Sequence, residues 1–106
     1  METRFSNEAL VRIIEEATVY MCACPAQVCE QIQRLRGLVA YQTECMKTAG
    51  PGTLVSHHTI AVMAAQAHAT MEECLDRVLE LEGWDRATCT MPAGLRELQF
   101  KEIQGD

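Results

Sequence analysis

The chain has 106 residues, the length of one domain, and we predict a single helical-bundle domain over residues 1–106. Hydrophobic residues make up 48% and charged residues 23%, which is typical of folded globular proteins and excludes wholesale disorder. The formal net charge of −6 disfavours nucleic acid and anionic membranes as partners, because both are negatively charged. Six cysteines are the unusual feature of this composition.

The first eight residues contain acidic side chains where a secretory signal needs a basic stretch followed by an apolar one. We therefore expect a cytoplasmic protein whose cysteines are reduced. The segment 48–71 lacks Asp, Glu, Lys and Arg, but its glycines, proline and histidines interrupt the apolar run that a membrane span requires. We predict no membrane association.

Apolar residues recur at steps of three and four in the first half of the chain, which predicts two amphipathic helices. The first begins at Ser6 or Asn7, and its stripe consists of Leu10, Ile14, Ala17, Met21 and Cys24. Pro25 suits the first position of a second helix ending near Thr48, and one helix kinked at Pro25 is the alternative. The second stripe consists of Val28, Ile32, Leu35, Val39, Gln42 and Met46.

Gly50 suits the C-terminal cap of the second helix, because Pro51 after it cannot continue a helix. A third helix is predicted from a cap at Ser56 to Glu82, with Gly83 as its stop. Its stripe consists of Ile60, Ala64, Ala67, Met71, Cys74, Val78 and Leu81.

A short C-terminal helix is predicted after Thr90, with apolar positions at Leu95, Leu98 and Ile103. No segment shows the alternation of a strand. The predicted fold is all-α, an up-and-down bundle of three long helices plus the short C-terminal helix, completed by dimerisation.

The first half of the third helix carries no formal charge on any side, which is typical of a buried or interfacial helix. Three helices and a short fourth cannot cover it on every side, so an interface between copies is expected; a central position in the monomer core is the alternative. The predicted interface residues are Ala61, Ala65, His68 and Ala69.

Antiparallel helices would bring most of the cysteines to one end of the bundle. Thiolate and imidazole are ligands for Cu(I) and Zn(II), so two candidate metal sites follow. The first consists of Cys22, Cys24, Cys29 and Cys89, and the second of Cys45, His57 and His58. Neither shows the spacing of a zinc or copper motif, and packing as small hydrophobic residues is the more common role of reduced cysteines.

No phosphate loop, nucleophile elbow or zinc-protease motif occurs, so we expect no enzymatic activity and no cofactor. The leading hypothesis is a cytoplasmic, non-enzymatic bundle that self-associates, or binds a protein partner, through the uncharged half of the third helix. The alternative is a protein that binds Cu(I) or Zn(II), or exchanges thiols, through the cysteine cluster.

Overall fold

The computed structural model describes residues 1–19, 23–92 and 94, and these residues form three α-helices and no strand. The helices are α1 (Asn7–Val19), α2 (Ala23–Met46) and α3 (Pro51–Glu82). The all-α prediction is confirmed. The predicted C-terminal helix, with Leu95, Leu98 and Ile103, lies outside the described residues, as do Met21 and Cys22. Dimerisation stays a prediction.

Ser6 caps α1, as one of the two predicted positions. Its hydroxyl oxygen accepts a hydrogen bond from the backbone N–H of Ala9 at 3.0 Å, and its carbonyl accepts one from Leu10 at 3.1 Å. Glu8 lies in the first turn, where a negative charge interacts favourably with the helix dipole.

The connection between α2 and α3 differs from the prediction. Gly50 is the N-terminal cap of α3, with extended backbone (φ −76°, ψ 169°), and not the C-terminal cap of α2. Pro51 therefore begins α3, where its missing N–H has no partner to lose, and the predicted start at Ser56 is wrong. The same rule applies at the start of α2, which begins at Ala23 and tolerates Pro25 in its first turn.

Gly83 ends α3, as predicted. It adopts the left-handed conformation (φ 76°), and the backbone N–H of Trp84 bonds back to the carbonyl of Leu79 at 2.9 Å. A tight loop follows, in which Asp85 and Thr90 pair as an isolated bridge. The chain then returns to α1, where the Glu16 carboxylate accepts a hydrogen bond from the N–H of Met91 at 3.0 Å.

The buried face of α3 lies beside the predicted stripe rather than on it. Only Ala64 belongs to both, and Ile60 and Leu81 of the predicted stripe are exposed. The cause is that two polar side chains occupy the buried face, which hides it from a hydrophobicity pattern. The buried residues of α3 are Ala61, Ala64, His68, Glu72, Leu75 and Leu79.

The predicted stripes of the first two helices fit better, with two exceptions. Ile13 is fully buried on α1 whereas the predicted Ile14 is half-buried, and Cys24 is exposed. On α2, Ile32 and Gln42 are buried and the other predicted positions are half-buried.

The three helices differ greatly in length, with 13, 24 and 32 residues. At 1.5 Å per residue, α1 extends about 20 Å and α3 about 48 Å. Asn7 at the start of α1 contacts Arg36, so α1 runs along the first half of α2 only. The molecule is accordingly elongated, 61 × 25 × 19 Å: a three-helix base continues into a two-helix tip, which we define as residues 37–46 of α2 and 51–69 of α3.

The base holds the hydrophobic core, to which all three helices and the loop after α3 contribute. Its members include Leu10, Ile13, Ile32, Leu75, Leu79 and Trp84. No helix among the described residues combines the length and apolar character that crossing a membrane requires.

The position of the buried face predicts contrasting effects for two leucines of α3. Leu79→Ala should lower the free energy of unfolding by about 2–5 kcal/mol, because Leu79 is 1% exposed in the core. Leu81→Ala should change it by less than about 0.5 kcal/mol, because that side chain is 86% exposed. Urea titration of both variants measures the difference, and equal losses would contradict the observed burial.

Candidate functional site

Two of the four cysteines in the first predicted metal site are buried and one is exposed. Cys24 is exposed, whereas Cys29 and Cys89 belong to the core of the base. Burial, and to a smaller extent the nearby Cys89, raise the pKa of the Cys29 thiol to about 12. Because metal ligation requires the thiolate, this environment disfavours Cys29 as a ligand. Cys22 lies outside the described residues.

One residue of the second predicted metal site, His57, forms a hydrogen bond with another side chain of the same chain. The Nδ1 atom of His57 lies 2.7 Å from the amide oxygen of Gln42, which links α3 to α2 within the tip. His58 is exposed and Cys45 is half-buried. Within the described part of the chain, no three His, Cys, Asp or Glu side chains meet in a group that could hold a metal ion.

A buried polar cluster, not predicted from the sequence, lies where the base meets the tip. It consists of Arg36 on α2 and of His68 and Glu72 on α3. The Arg36 guanidinium donates to Nε2 of His68 at 3.0 Å through Nε, and to Oε2 of Glu72 at 3.1 Å through Nη2. His68 and Glu72 are almost fully buried and the Arg36 side chain is 15% exposed, so the ion pair between Arg36 and Glu72 is largely shielded from water.

The cluster also fixes the start of the chain. Glu72 Oε2 accepts hydrogen bonds from the backbone N–H groups of Arg4 at 2.8 Å and Phe5 at 3.1 Å. Arg36 donates to the Phe5 carbonyl and to the Asn7 side chain, each at 2.6 Å. The Glu72 carboxylate and the Arg36 guanidinium thereby bind the N-terminal segment, residues 4–7, to both α3 and α2. These two helices are the arms of a helical hairpin.

The Phe5 side chain adds an apolar anchor to this segment. It is buried in the core, and the Arg86 guanidinium lies 4.3 Å from its ring centroid. Arg86 also pairs with Asp76, which Arg4 contacts at 3.5 Å. The side of α3 that carries Glu72 and Asp76 is therefore the side that the N-terminal segment covers.

The hydrogen bonds of the cluster determine which ring nitrogen of neutral His68 carries the proton. Since Nε2 accepts the Arg36 hydrogen bond, Nδ1 carries the proton, and it faces Oε1 of Glu72 at 3.6 Å. Burial lowers the pKa of His68 below its ordinary value of 6.5; Glu72 opposes this shift, and the Arg36 cation adds to it. The arrangement requires a neutral imidazole, because a protonated ring cannot accept from Arg36.

The structure divides the predicted interface residues into two groups. Ala61 and His68 are buried inside this chain, so neither lies on a surface that a second chain reaches. Ala65 is half-buried and Ala69 is exposed. The sequence pattern missed this division because it has no means of showing which side of an uncharged helix faces α2.

Large hydrophobic side chains are concentrated on the surface of the tip. Seven of the eleven exposed ones in the described chain lie there, although the tip is less than a third of the sequence. They are Leu38, Tyr41, Leu54, Val55, Ile60, Val62 and Met63. Such a concentration on one part of a surface is typical of an interaction site.

Comparison of the chain with protein-family models, with curated proteins and with solved structures found no match.

Removing the Glu72 carboxylate should be strongly destabilising. Glu72→Ala leaves the Arg36 cation and two backbone N–H groups without their acceptor, and we expect a loss of about 3–5 kcal/mol in the free energy of unfolding. Glu73→Ala is the matched control, because Glu73 is exposed and its ion pair among the described residues is with Arg77 on the same helix. Denaturant titration tests both, and a loss at Glu72 no greater than at Glu73 would contradict the role of the cluster.

The lowered pKa of His68 predicts a loss of stability in acid. The unfolded state takes up a proton near pH 6.5 and the folded state only at lower pH, so the contribution is fully present above pH 6.5. It is lost as the pH falls from 6.5 towards the folded-state pKa, by at most about 1.4 kcal/mol per pH unit for one proton.

His68→Gln should remove this component, because a glutamine cannot titrate while its amide oxygen can accept from Arg36. Free energies of unfolding measured between pH 7.5 and 5 should fall less steeply in the variant than in the natural chain. Identical slopes would contradict the assignment of the acid effect to His68.

Proposed function

We propose that this chain is a non-enzymatic helical protein that acts by self-association, two copies pairing through the uncharged half of α3. The observation that carries the proposal is the tip, where, among the described residues, α2 and α3 extend beyond α1 and present apolar side chains to water. Two such hairpins packed together would form a four-helix bundle, which restores the layer that α1 supplies in the base.

The position of the interface follows from helical spacing. Ala69 precedes Asp76 by seven residues, and Ala65 precedes Glu72 by seven, so both alanines lie on the side of α3 that the N-terminal segment covers nearer to the C-terminal end of the helix. Val62 and Val55 continue the same line at further intervals of seven. We call Val55, Val62, Ala65 and Ala69 the seam.

The seam matches itself in an antiparallel arrangement. A two-fold axis at Val62 places Val55 of one copy opposite Ala69 of the other, so a larger side chain meets a smaller one at both ends. The small alanines allow two helices to approach closely, and the absence of charge from 48 to 71 removes any repulsion between identical surfaces. These features favour a second copy over an unrelated partner.

The charge distribution also favours the antiparallel arrangement. The second half of α3 carries Glu72, Glu73, Asp76, Glu80 and Glu82 against a single Arg77. Parallel helices would bring these acidic halves together, whereas antiparallel helices direct them to opposite ends of the dimer. The chain at Met91 contacts α1 in the base, away from the seam.

A charge at the two-fold axis should dissociate the dimer. Val62→Glu places two carboxylates against each other in a dry contact, so we expect the dimer Kd to rise by at least about a hundredfold. Val62 is 40% exposed in the single chain, so the fold should survive. Val11→Glu, at a 44% exposed position on α1, is the matched control and should leave the Kd unchanged. Light scattering after gel filtration under reducing conditions distinguishes the two variants.

A charge exchange tests the register of the seam directly. Val55→Lys and Ala69→Glu should each weaken the dimer, whereas the double variant should recover it, because each Lys then faces a Glu of the other copy. The two positions are 14 residues apart on one helix, about 21 Å, so they cannot pair within a chain. A double variant weaker than either single one would contradict the antiparallel seam.

A further inference from the structure

Two buried thiols lie in the hydrophobic core of the base. Cys29 lies in the second turn of α2 and Cys89 in the loop after α3, and both belong to the hydrophobic core. The topology places both at one end of the molecule, because the start of α2 and the end of α3 lie at the same end of the hairpin. Both thiols are free, and the Cys89 thiol lies near enough to contribute, after burial, to the raised pKa of the Cys29 thiol.

The backbone at Cys89 is unusual for a cysteine. Its φ of 58° lies in the left-handed region, which glycine and asparagine occupy at the lowest cost. Backbone hydrogen bonds within the loop impose this conformation. The Asp85 carbonyl accepts from the N–H of Cys89 at 2.7 Å, and the N–H of Asp85 donates to the carbonyl of Thr90 at 2.9 Å. The backbone hydrogen bonds of the loop therefore hold Cys89 in a conformation that costs a side-chain-bearing residue free energy.

The two thiols differ in access. A surface groove of about 300 Å³ is lined by Cys89 itself and by its neighbours Thr88 and Thr90. The α1 side of the groove consists of Arg12, Glu15, Glu16 and Val19. Cys29 has no exposed surface and lies within the core. A small reagent entering the groove would therefore meet Cys89 first.

We propose that Cys89 and Cys29 form a redox-sensitive pair, which closes into an intramolecular disulfide when the protein meets oxidised glutathione. The Cys89 thiolate attacks one sulfur of that disulfide, giving a mixed disulfide and releasing one glutathione thiolate. The Cys29 thiolate, its proton lost to solvent, then attacks the Cys89 sulfur and releases the second. The protein loses two electrons and two protons, and oxidised glutathione becomes two thiols.

The environment of Cys29 sets the rate of the second step. Because the pKa of Cys29 is raised to about 12, the attacking thiolate is scarce at neutral pH, and closure should accelerate as the pH rises. The loop 85–90 lies outside the helices, so it is the element that adjusts to the Cα separation of a disulfide, about 4.4–6.8 Å.

The full reduced chain, incubated with oxidised glutathione under native conditions, tests the proposal. After quenching, denaturation and alkylation, peptide mapping should find Cys29 linked to Cys89 and the loss of those two from the six titratable thiols. Closure should be faster at pH 9 than at pH 7. Cys29→Ala should stop at glutathione attached to Cys89, and the matched Cys24→Ala variant should close as the natural chain does.

Recovery of Cys29 and Cys89 as free thiols, while exposed Cys24 carries glutathione, would overturn the proposal. So would a disulfide that joins either of them to a different cysteine. If Cys29→Ala fails to fold, the peptide map of the natural chain still decides between these outcomes. The result is independent of dimerisation, because both thiols lie in the base and the seam lies in the tip.

Discussion

The length of α1 is the constraint on which the rest of this structure depends. Thirteen residues cover the base of a hairpin whose arms have 24 and 32 residues, and among the residues that the structure describes no third helix covers the remainder of the hairpin. A two-helix hairpin buries only one side of each helix, so the apolar residues of the tip remain in contact with water. The position at which α1 begins along the hairpin determines where the core, the polar cluster and the proposed seam lie.

The cluster of Arg36, His68 and Glu72 determines that point. Its buried charges and the backbone groups of the N-terminal segment satisfy one another, and any shift of α1 along the hairpin would leave a charge in the interior without a partner. Hydrophobic packing tolerates small sliding of one helix over another, whereas a set of directed hydrogen bonds does not. The side chains of the cluster, which hold α1 in register with the hairpin, therefore lie where the base ends and the tip begins.

Periodicity in the sequence was sufficient to predict three helices, a cap at Ser6 or Asn7 and the stop at Gly83, because these depend on local spacing and backbone preference. It was misleading at Gly50 and Pro51, where glycine before proline suits either the end of one helix or the start of the next. It also missed the buried face of α3, since His68 and Glu72 are buried only through partners distant in the sequence. The spacing of the cysteines in the sequence did not indicate that Cys24 is exposed and Cys29 is buried.

The base holds the fold and the two buried thiols, whereas we propose that the tip contacts a second copy. Sedimentation equilibrium of the unmodified chain under reducing conditions is the direct test of this dimerisation. We expect a mass of twice 11.8 kDa at micromolar concentration, dissociating on dilution with a single Kd. A mass of 11.8 kDa at every concentration up to the millimolar range would contradict it.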